Sequence, residues 1–178
     1  METRPKLIDG FLKVMAWVVF VGLCIQAGAL LFNFVYSAFR PIAAANLYNG
    51  LNLSSLLATD PGHYWAVASL VVGVLVAKAF VFYLVIAALT EVDASRPFSQ
   101  PVAMRISQIG YNALAAALLG FVGARYCQHL QKRGLDLDTV GQFWDDTKAL
   151  LLMAAVVFVI ARIFQKGLAL QTENDLTV

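Results

Sequence analysis

The residues able to do chemistry are few, and the one in the most unusual place is Lys78. It is the single charge in Tyr64–Thr90, a run of 27 residues. A lysine inside a membrane span costs about 2.5–3.5 kcal/mol on insertion scales, so it is a functional candidate by default. At about 100° per residue it falls with Val71, Leu75, Phe82 and Val85, opposite the small-residue stripe Ser69, Gly73 and Ala77. Two plain alternatives stand beside function. Lys78 can snorkel toward the near interface, or make a structural hydrogen bond to Gln26, Asn33 or Asn112. Those three amides, with Gln108, are also the residues that would line a polar path through the membrane.

The remaining reactive side chains point elsewhere. His63 and His129 lie near loops, not inside two spans as a bis-histidine haem needs. Asp136, Asp138, Asp145 and Asp146 have the type of metal ligands, yet no glycine and closing glutamate follow at calcium-loop spacing. They read as a solvated acidic face, with Asp138 a candidate cap for the helix entering the last span. Cys24 and Cys127 fall at different depths without a CxxC, which argues against a disulfide framework and a zinc site; they read as buried thiols. There is no G-x-x-x-x-G-K-[ST], G-x-S-x-G or H-E-x-x-H. The reading is therefore not an enzyme, with no catalytic residue, cofactor or metal assigned.

The elements that must position these residues are membrane spans. The chain of 178 residues is 60% hydrophobic and 13% charged, against about 45–50% and about 25% in soluble domains. Its mean hydropathy is +0.73. A net charge of +2, with no basic cluster, excludes a nucleic-acid surface. The expected fold is all-α: a single polytopic transmembrane four-helix bundle over 1–178, with no large soluble domain. Spans are expected at about 12–39, 64–90, 106–125 and 148–168, since roughly 20 apolar residues cross a bilayer. Residues 169–178 form a short polar tail.

Val14–Phe39 is uncharged for 26 residues, longer than the ~7–15 of a signal-peptide core, so a retained helix is expected, ending near Arg40-Pro41. Its stripe Gly22, Gln26, Ala29, Asn33 and Ser37 predicts a helix–helix seam. Arg40–His63 is a loop in which Ile42–Leu57 suits a short surface helix and Asp60-Pro61-Gly62 a turn. Asn52-Leu53-Ser54 fits the glycosylation pattern, a match that short sequences make by chance. In the polar link Glu91–Arg105, Arg96-Pro97 breaks a helix, Ser99 suits an N-cap and Pro101 a first turn. Gln108, Asn112, Ala116, Gly120 and Ala124 then recur four apart and predict a packing ladder. The last run, Ala149–Ala161, has only 13 uncharged residues between Lys148 and Arg162; Gly167 and Glu173-Asn174-Asp175 are expected to loosen or end its helix.

With four crossings both termini share a side. Cytoplasmic ends place Arg4, Lys6, Lys13, Arg96, Arg105, Arg162 and Lys166 inside, against Arg40, Arg125, Lys132, Arg133 and Lys148 outside. That majority favours a multi-pass protein of the cell membrane with both termini cytoplasmic.

Two stretches carry a resemblance. One is Pro97-Phe98-Ser99 followed by Ile109-Gly110. The other is the ending from Ile163 through Gln165-Lys166-Gly167 to Asp175-Leu176-Thr177-Val178. Together they resemble a bacterial family of integral membrane proteins, the domain of unknown function 2975 family. Gln100-Pro101 departs from it, standing where a Glu-Asn-like pair is expected. The resemblance implies a four-helix membrane protein and, through helix-turn-helix regulators found beside family members, a regulatory partnership. It brings no activity. The tail residues Glu173, Asn174, Asp175, Leu176, Thr177 and Val178 are the candidate partner-binding segment, since a C-terminal carboxylate can be captured in a backbone nest; folding back onto helix ends is their alternative use. The expected function is a membrane-embedded adaptor or sensor holding a cytosolic regulator. The second is a small-molecule or ion transporter or channel subunit, acting as a homo-oligomer. The bilayer is the one partner common to both.

Overall fold

Four long helices carry the chain back and forth, and three short elements fold in the loops between them. The computed structural model describes residues 3–91 and 99–176, with side chains over 8–91 and 99–173. The elements are α1 (Thr3–Phe39), α2 (Ser54–Thr59), α3 (Pro61–Glu91), α4 (Gln100–Gln131) and α5 (Thr147–Leu176), with 3₁₀ turns at Pro41–Ala45 and Asp138–Phe143. The stretches Ile8–Phe39, Pro61–Glu91, Gln100–Gln131 and Asp138–Glu173 are each long and apolar enough to cross a membrane. The chain is an all-α, multi-pass membrane bundle.

Side-chain pairs give the direction of each helix. Phe34 meets Tyr64 with ring centroids 5.9 Å apart, while Phe20 meets Tyr83 at 6.2 Å, so α1 and α3 are antiparallel. His63 meets Tyr126 and Glu91 meets Arg105, which makes α3 and α4 antiparallel. Gly120 lies against Thr147 and Gly110 against Phe158, so α5 returns antiparallel to α4. The start of α1, the end of α3, the start of α4 and the end of α5 thus share one end, here the terminal end. The other is the loop end. The extensive interfaces follow chain order, α1 on α3, α3 on α4 and α4 on α5. The inner pair, α3 and α4, is the more deeply buried.

The element bounds depart from the sequence in instructive ways. α1 ends at Phe39, one residue before Arg40-Pro41, as proline requires. α4 does not stop near 125. It continues to Gln131 and carries Cys127 and His129 within the helix. α5 passes through Gly167 and reaches Leu176, so the loosening expected there and at Glu173 is absent. A glycine inside a helix costs about 1 kcal/mol, which a long helix already nucleated absorbs. The break expected at Arg96-Pro97 lies outside the described residues. Ser99 stands at the N-cap of α4, but its hydroxyl makes no capping bond.

The seams are corrected too. On α1 the buried line is Ala27, Leu30, Phe34 and Ser37, whereas Gly22 is exposed. On α3, Ser69 is exposed and an added Cβ at Gly73 would meet nothing within 4 Å. Leu30 and Phe34, with Ala27 and the stripe's own Ser37, line the α1–α3 contact, while the rest of the two stripes does not lead it. The α4 ladder does pack. Ala116 and Gly120 are buried, but the glycines that admit a neighbour are Gly110, Gly120 and Gly123, which face Phe158, Thr147 and Trp144. Cys127 is buried while Cys24 is exposed on α1, not buried as its position in an apolar run suggested.

At the loop end, two connecting segments build a core of their own; the surface helix expected over Ile42–Leu57 is replaced by the 3₁₀ turn Pro41–Ala45 and α2, with a reversal between them. Leu47, Leu51, Leu53, Leu56, Tyr64, Leu130, Leu137 and Val140 are all at most 1% exposed. The segment after α1 closes on itself by Leu53 N–H donating to Ala44 O at 2.8 Å and Leu47 N–H to Leu51 O at 2.9 Å. Asn49 (φ 47°) and Gly50 (φ 76°) make the tight reversal; asparagine and glycine tolerate the left-handed region best. The 132–146 segment docks beside it. Asn52 N–H donates to Thr139 Oγ1 at 3.1 Å, and the Thr139 hydroxyl donates to Asn52 O at 3.3 Å. Asn52 is thereby a structural residue: its Oδ1 also accepts from Ser54 N–H at 3.0 Å and from the Ser54 hydroxyl at 2.8 Å, opening α2.

Candidate functional site

Lys78 finds a partner that spacing did not suggest. Its Nζ donates to Asp146 Oδ1 at 2.8 Å and approaches Phe143 O at 3.5 Å. None of Gln26, Asn33 or Asn112 holds it. The geometry follows from chain direction. A lysine on a helix leans toward the helix N-terminus, here toward the loop end. The 132–146 segment folds back over the outer turns of α4, so α5 begins only at Thr147, level with Gly120. Asp146 is therefore carried down the bundle to within reach. The lysine side chain is 11% exposed and the aspartate 53%, so the pair is wet on one side and dry on the other. As a half-exposed bridge such a pair contributes up to about 1 kcal/mol; excluding water strengthens the attraction but adds a desolvation cost that can cancel it. Asp146 also accepts the first backbone bond of α5 through its carbonyl, from Leu150 N–H at 2.9 Å. Lys78 thus pairs with the residue immediately before α5.

The four amides do not converge. Asn33 Nδ2 donates to Leu47 O and ties α1 to the loop-end segment. Asn112 Nδ2 donates to Gln108 O of its own helix at 2.8 Å. Gln108 Oε1 accepts from Arg105 Nη1 at 3.1 Å, near the terminal end, where Arg105 Nε also pairs with Glu91 Oε1 at 3.1 Å. Gln26 is half-buried on α1 and makes no side-chain hydrogen bond among the described residues. Of the tail, Glu173 lies on α5; the side chains of Asn174, Asp175 and Leu176, and all of Thr177 and Val178, lie outside the described residues.

Other polar residues at the loop end, named from sequence for different reasons, meet partners there. Buried Ser37 shares a 2.6 Å hydrogen bond with Tyr64 Oη and donates to Phe34 O at 2.6 Å. Tyr126 Oη lies 2.7 Å from His63 Nδ1, and Asp60 Oδ2 lies 3.7 Å from His63 Nε2. Asp60 and His63 are three apart in sequence, a visible signal; Tyr126 is not, because only the antiparallel return of α4 brings it there. Asp138 caps no span. It heads its own 3₁₀ turn and accepts from Gln131 Nε2 at 3.0 Å. Among the described residues, no three His, Cys, Asp or Glu side chains gather as a metal site.

Between the outer turns of α4 and the 132–146 segment lies a cleft of about 700 Å³. Arg125 and Lys148 enter it with one sign of charge, Asp138 and Asp145 with the other. Trp144 forms its inner wall. The six-membered edge of its ring occupies the space a side chain at Gly123 would need, and its buried indole N–H has no hydrogen-bond partner in the described structure. Chemically the cleft offers donors, acceptors and an aromatic wall, close to the Lys78–Asp146 pair through the adjacent residues Trp144 and Asp145.

Residues 52–178 match the family model described as "Protein of unknown function (DUF2975)". The chain belongs to the DUF2975 family. The match opens at Asn52 and closes at Val178, so it takes in both partners of the Asn52–Thr139 and Lys78–Asp146 pairs and leaves α1 outside. No curated protein and no solved structure matches the chain. What this DUF2975 member does must be read from its own geometry.

Proposed function

We propose that this DUF2975 protein is a membrane-embedded adaptor or sensor, with its terminal end in the cytoplasm, where it holds a soluble regulator. A small helix-turn-helix protein is the first candidate. The observation that supports this reading is how the intramembrane polar groups are used. Lys78, Asn33 and Ser37 each bond across to another element at the loop end instead of facing one another. A bundle wired this way holds a folded cap firmly against α1 and α3. A change at the cap is then passed to the start of α5, and α5 runs unbroken to Leu176 at the other end. Signal reception at one end and a helical tail at the other is the arrangement an adaptor needs.

The test is a crosslinked pull-down from native membranes, comparing the full chain with one stopped at Leu170. A soluble regulator captured by the first and lost from the second supports the reading and names the partner. An identical, membrane-only set of neighbours would sink it. The transport reading takes its place if Lys78→Met also abolishes flux of a small solute in cells while the protein remains folded.

A further inference from the structure

A second cleft opens between α4 and α5 near the terminal end, and its lining differs from that of the first. Its volume is about 460 Å³, and it is walled by Ser107 and Tyr111 from α4 and by Phe158, Ala161, Arg162 and Gln165 from α5. No carboxylate lines it. Ser107, Tyr111, Arg162 and Gln165 all carry hydrogen-bond donors. The Ser107 hydroxyl is turned to its own helix, donating to Ala103 O at 3.0 Å. Arg162, Gln165 and the Tyr111 hydroxyl make no hydrogen bond or ion pair among the described residues.

Arg162 is the anomaly. Lys78 and Arg105 each have an acid, Asp146 and Glu91, and Arg125 and Lys148 share their cleft with Asp138 and Asp145. Arg162 lies in the middle of α5, a stretch long and apolar enough to cross the membrane, with no counter-charge among the described residues. Lys166, one turn nearer the terminal end, is also without an ion pair among the described residues and adds to the positive field. A guanidinium at that depth requires either an anion or a path to water. The cleft's place decides which anion. Ser107 is two residues, about 3 Å along the helix, inward of Arg105 and its partner Glu91. That sets the cleft just inside the Arg105–Glu91 pair, at the terminal end of the bundle. Above it, Tyr111 and Phe158, with ring centroids 5.1 Å apart, continue the groove as an apolar wall. A phosphate below and an acyl chain above fit that sequence of surfaces. Basic pockets between membrane helices bind anionic lipid headgroups in this way.

We infer that the α4–α5 cleft is a binding site for an anionic phospholipid, whose phosphate is held by the Arg162 guanidinium with Gln165 and Tyr111, and whose acyl chain lies against Tyr111 and Phe158. Arginine suits the role because its planar fork donates two parallel hydrogen bonds to one phosphate.

The full-length protein, purified in a mild detergent, is titrated with phosphatidylglycerol and separately with phosphatidylcholine, and bound lipid is counted by native mass spectrometry. Wild type should retain phosphatidylglycerol at least about tenfold more tightly than phosphatidylcholine, the discrimination expected of one charged, hydrogen-bonded contact. Arg162→Gln should remove that preference and Arg162→Lys should keep only part of it. Arg125→Gln, at the loop end, should leave it unchanged. If Arg162→Gln does not hold its helical circular dichroism, Gln165→Leu stands in, with a smaller loss expected. An undiminished preference in Arg162→Gln, or in Gln165→Leu where that variant stands in, would mean that Arg162 merely snorkels to water, and the site would be abandoned. Inorganic phosphate at millimolar concentration should not displace the lipid; displacement would show a soluble-anion site and overturn the lipid assignment.

Discussion

The two ends of this bundle are held together by different means. At the loop end, Leu47, Leu51, Leu53, Leu56, Leu130 and Leu137 are at most 1% exposed, and one continuous core joins both loops to α1, α3 and α4. Toward the terminal end the core shrinks to Val81, Leu84, Ile109, Ala113 and Ala154, followed by the Arg105–Glu91 pair, whose second carboxylate oxygen is buried without a partner in the described structure. The difference teaches where the hydrophobic effect acts in a membrane protein. Lipid tails are as apolar as leucine, so burying leucine between spans gains little from water release. Loops project into water. An apolar loop there does gain, at about 25 cal/mol per Å² buried, and folds into a cap. The loop end is thus a small globular core grafted onto a packed membrane bundle.

That contrast can be broken at its tightest point first. Leu53→Ala removes a fully buried side chain from the loop-end core. A loss of roughly 2–5 kcal/mol is expected, read as a fall in the detergent melting temperature. Leu152→Ala, on the lipid face where Leu152 is 67% exposed, should change stability by less than about 0.5 kcal/mol. Equal effects would mean that the loop core is not the principal stabiliser.

Next comes Gly123. A Cβ there would stand 2.5 Å from the Trp144 ring, so Gly123→Ala should cost about 1–3 kcal/mol and quench or shift tryptophan fluorescence as the cap is pushed off α4. Gly73→Ala, in open space on the same kind of span, should be neutral or stabilising by up to about 1 kcal/mol. A Gly123→Ala protein with unchanged melting and emission would refute the Trp144–α4 contact.

The Lys78–Asp146 pair gives a smaller effect, because the aspartate is half open to water. A double-mutant cycle with Lys78→Met and Asp146→Asn should return a coupling of about 1 kcal/mol. The single Lys78→Met change should also raise protease nicking in 132–146, since the start of α5 loses its anchor. A zero coupling energy would detach Lys78 from the cap. Smallest is Thr139→Val, which deletes both bonds to Asn52 and should cost on the order of 1 kcal/mol, visible as faster amide exchange at Asn52 with little change at the terminal end.

Much was legible in the residues themselves. Length and continuity of the apolar runs set the number of spans and the all-α class, because a backbone in lipid must satisfy its own hydrogen bonds and helices do so locally. Arg40-Pro41 stopped α1 for a reason internal to two residues. Lys78 stood out as the single charge in Tyr64–Thr90. The ending from Ile163 to Val178 pointed to the family that residues 52–178 match. Each of these is a local property, carried by neighbours in the chain.

What only the tertiary structure decided is non-local. Lys78 and Asp146 are 68 positions apart and Asn52 and Thr139 are 87 apart, so no spacing rule joins them. The small-residue stripes on α1 and α3 obeyed helical periodicity, yet the seam formed along Leu30 and Phe34 because α3 presented Tyr64, Val67 and Val71 there. From sequence the first loop offered only a short surface helix over Ile42–Leu57, and nothing in it pointed to the 132–146 segment as its partner. The two become a core only when the chain's antiparallel returns bring both to the same watery end. Sequence sets what each segment can bury; the fold decides against what, because burial free energy belongs to pairs of surfaces that meet only after the chain has closed.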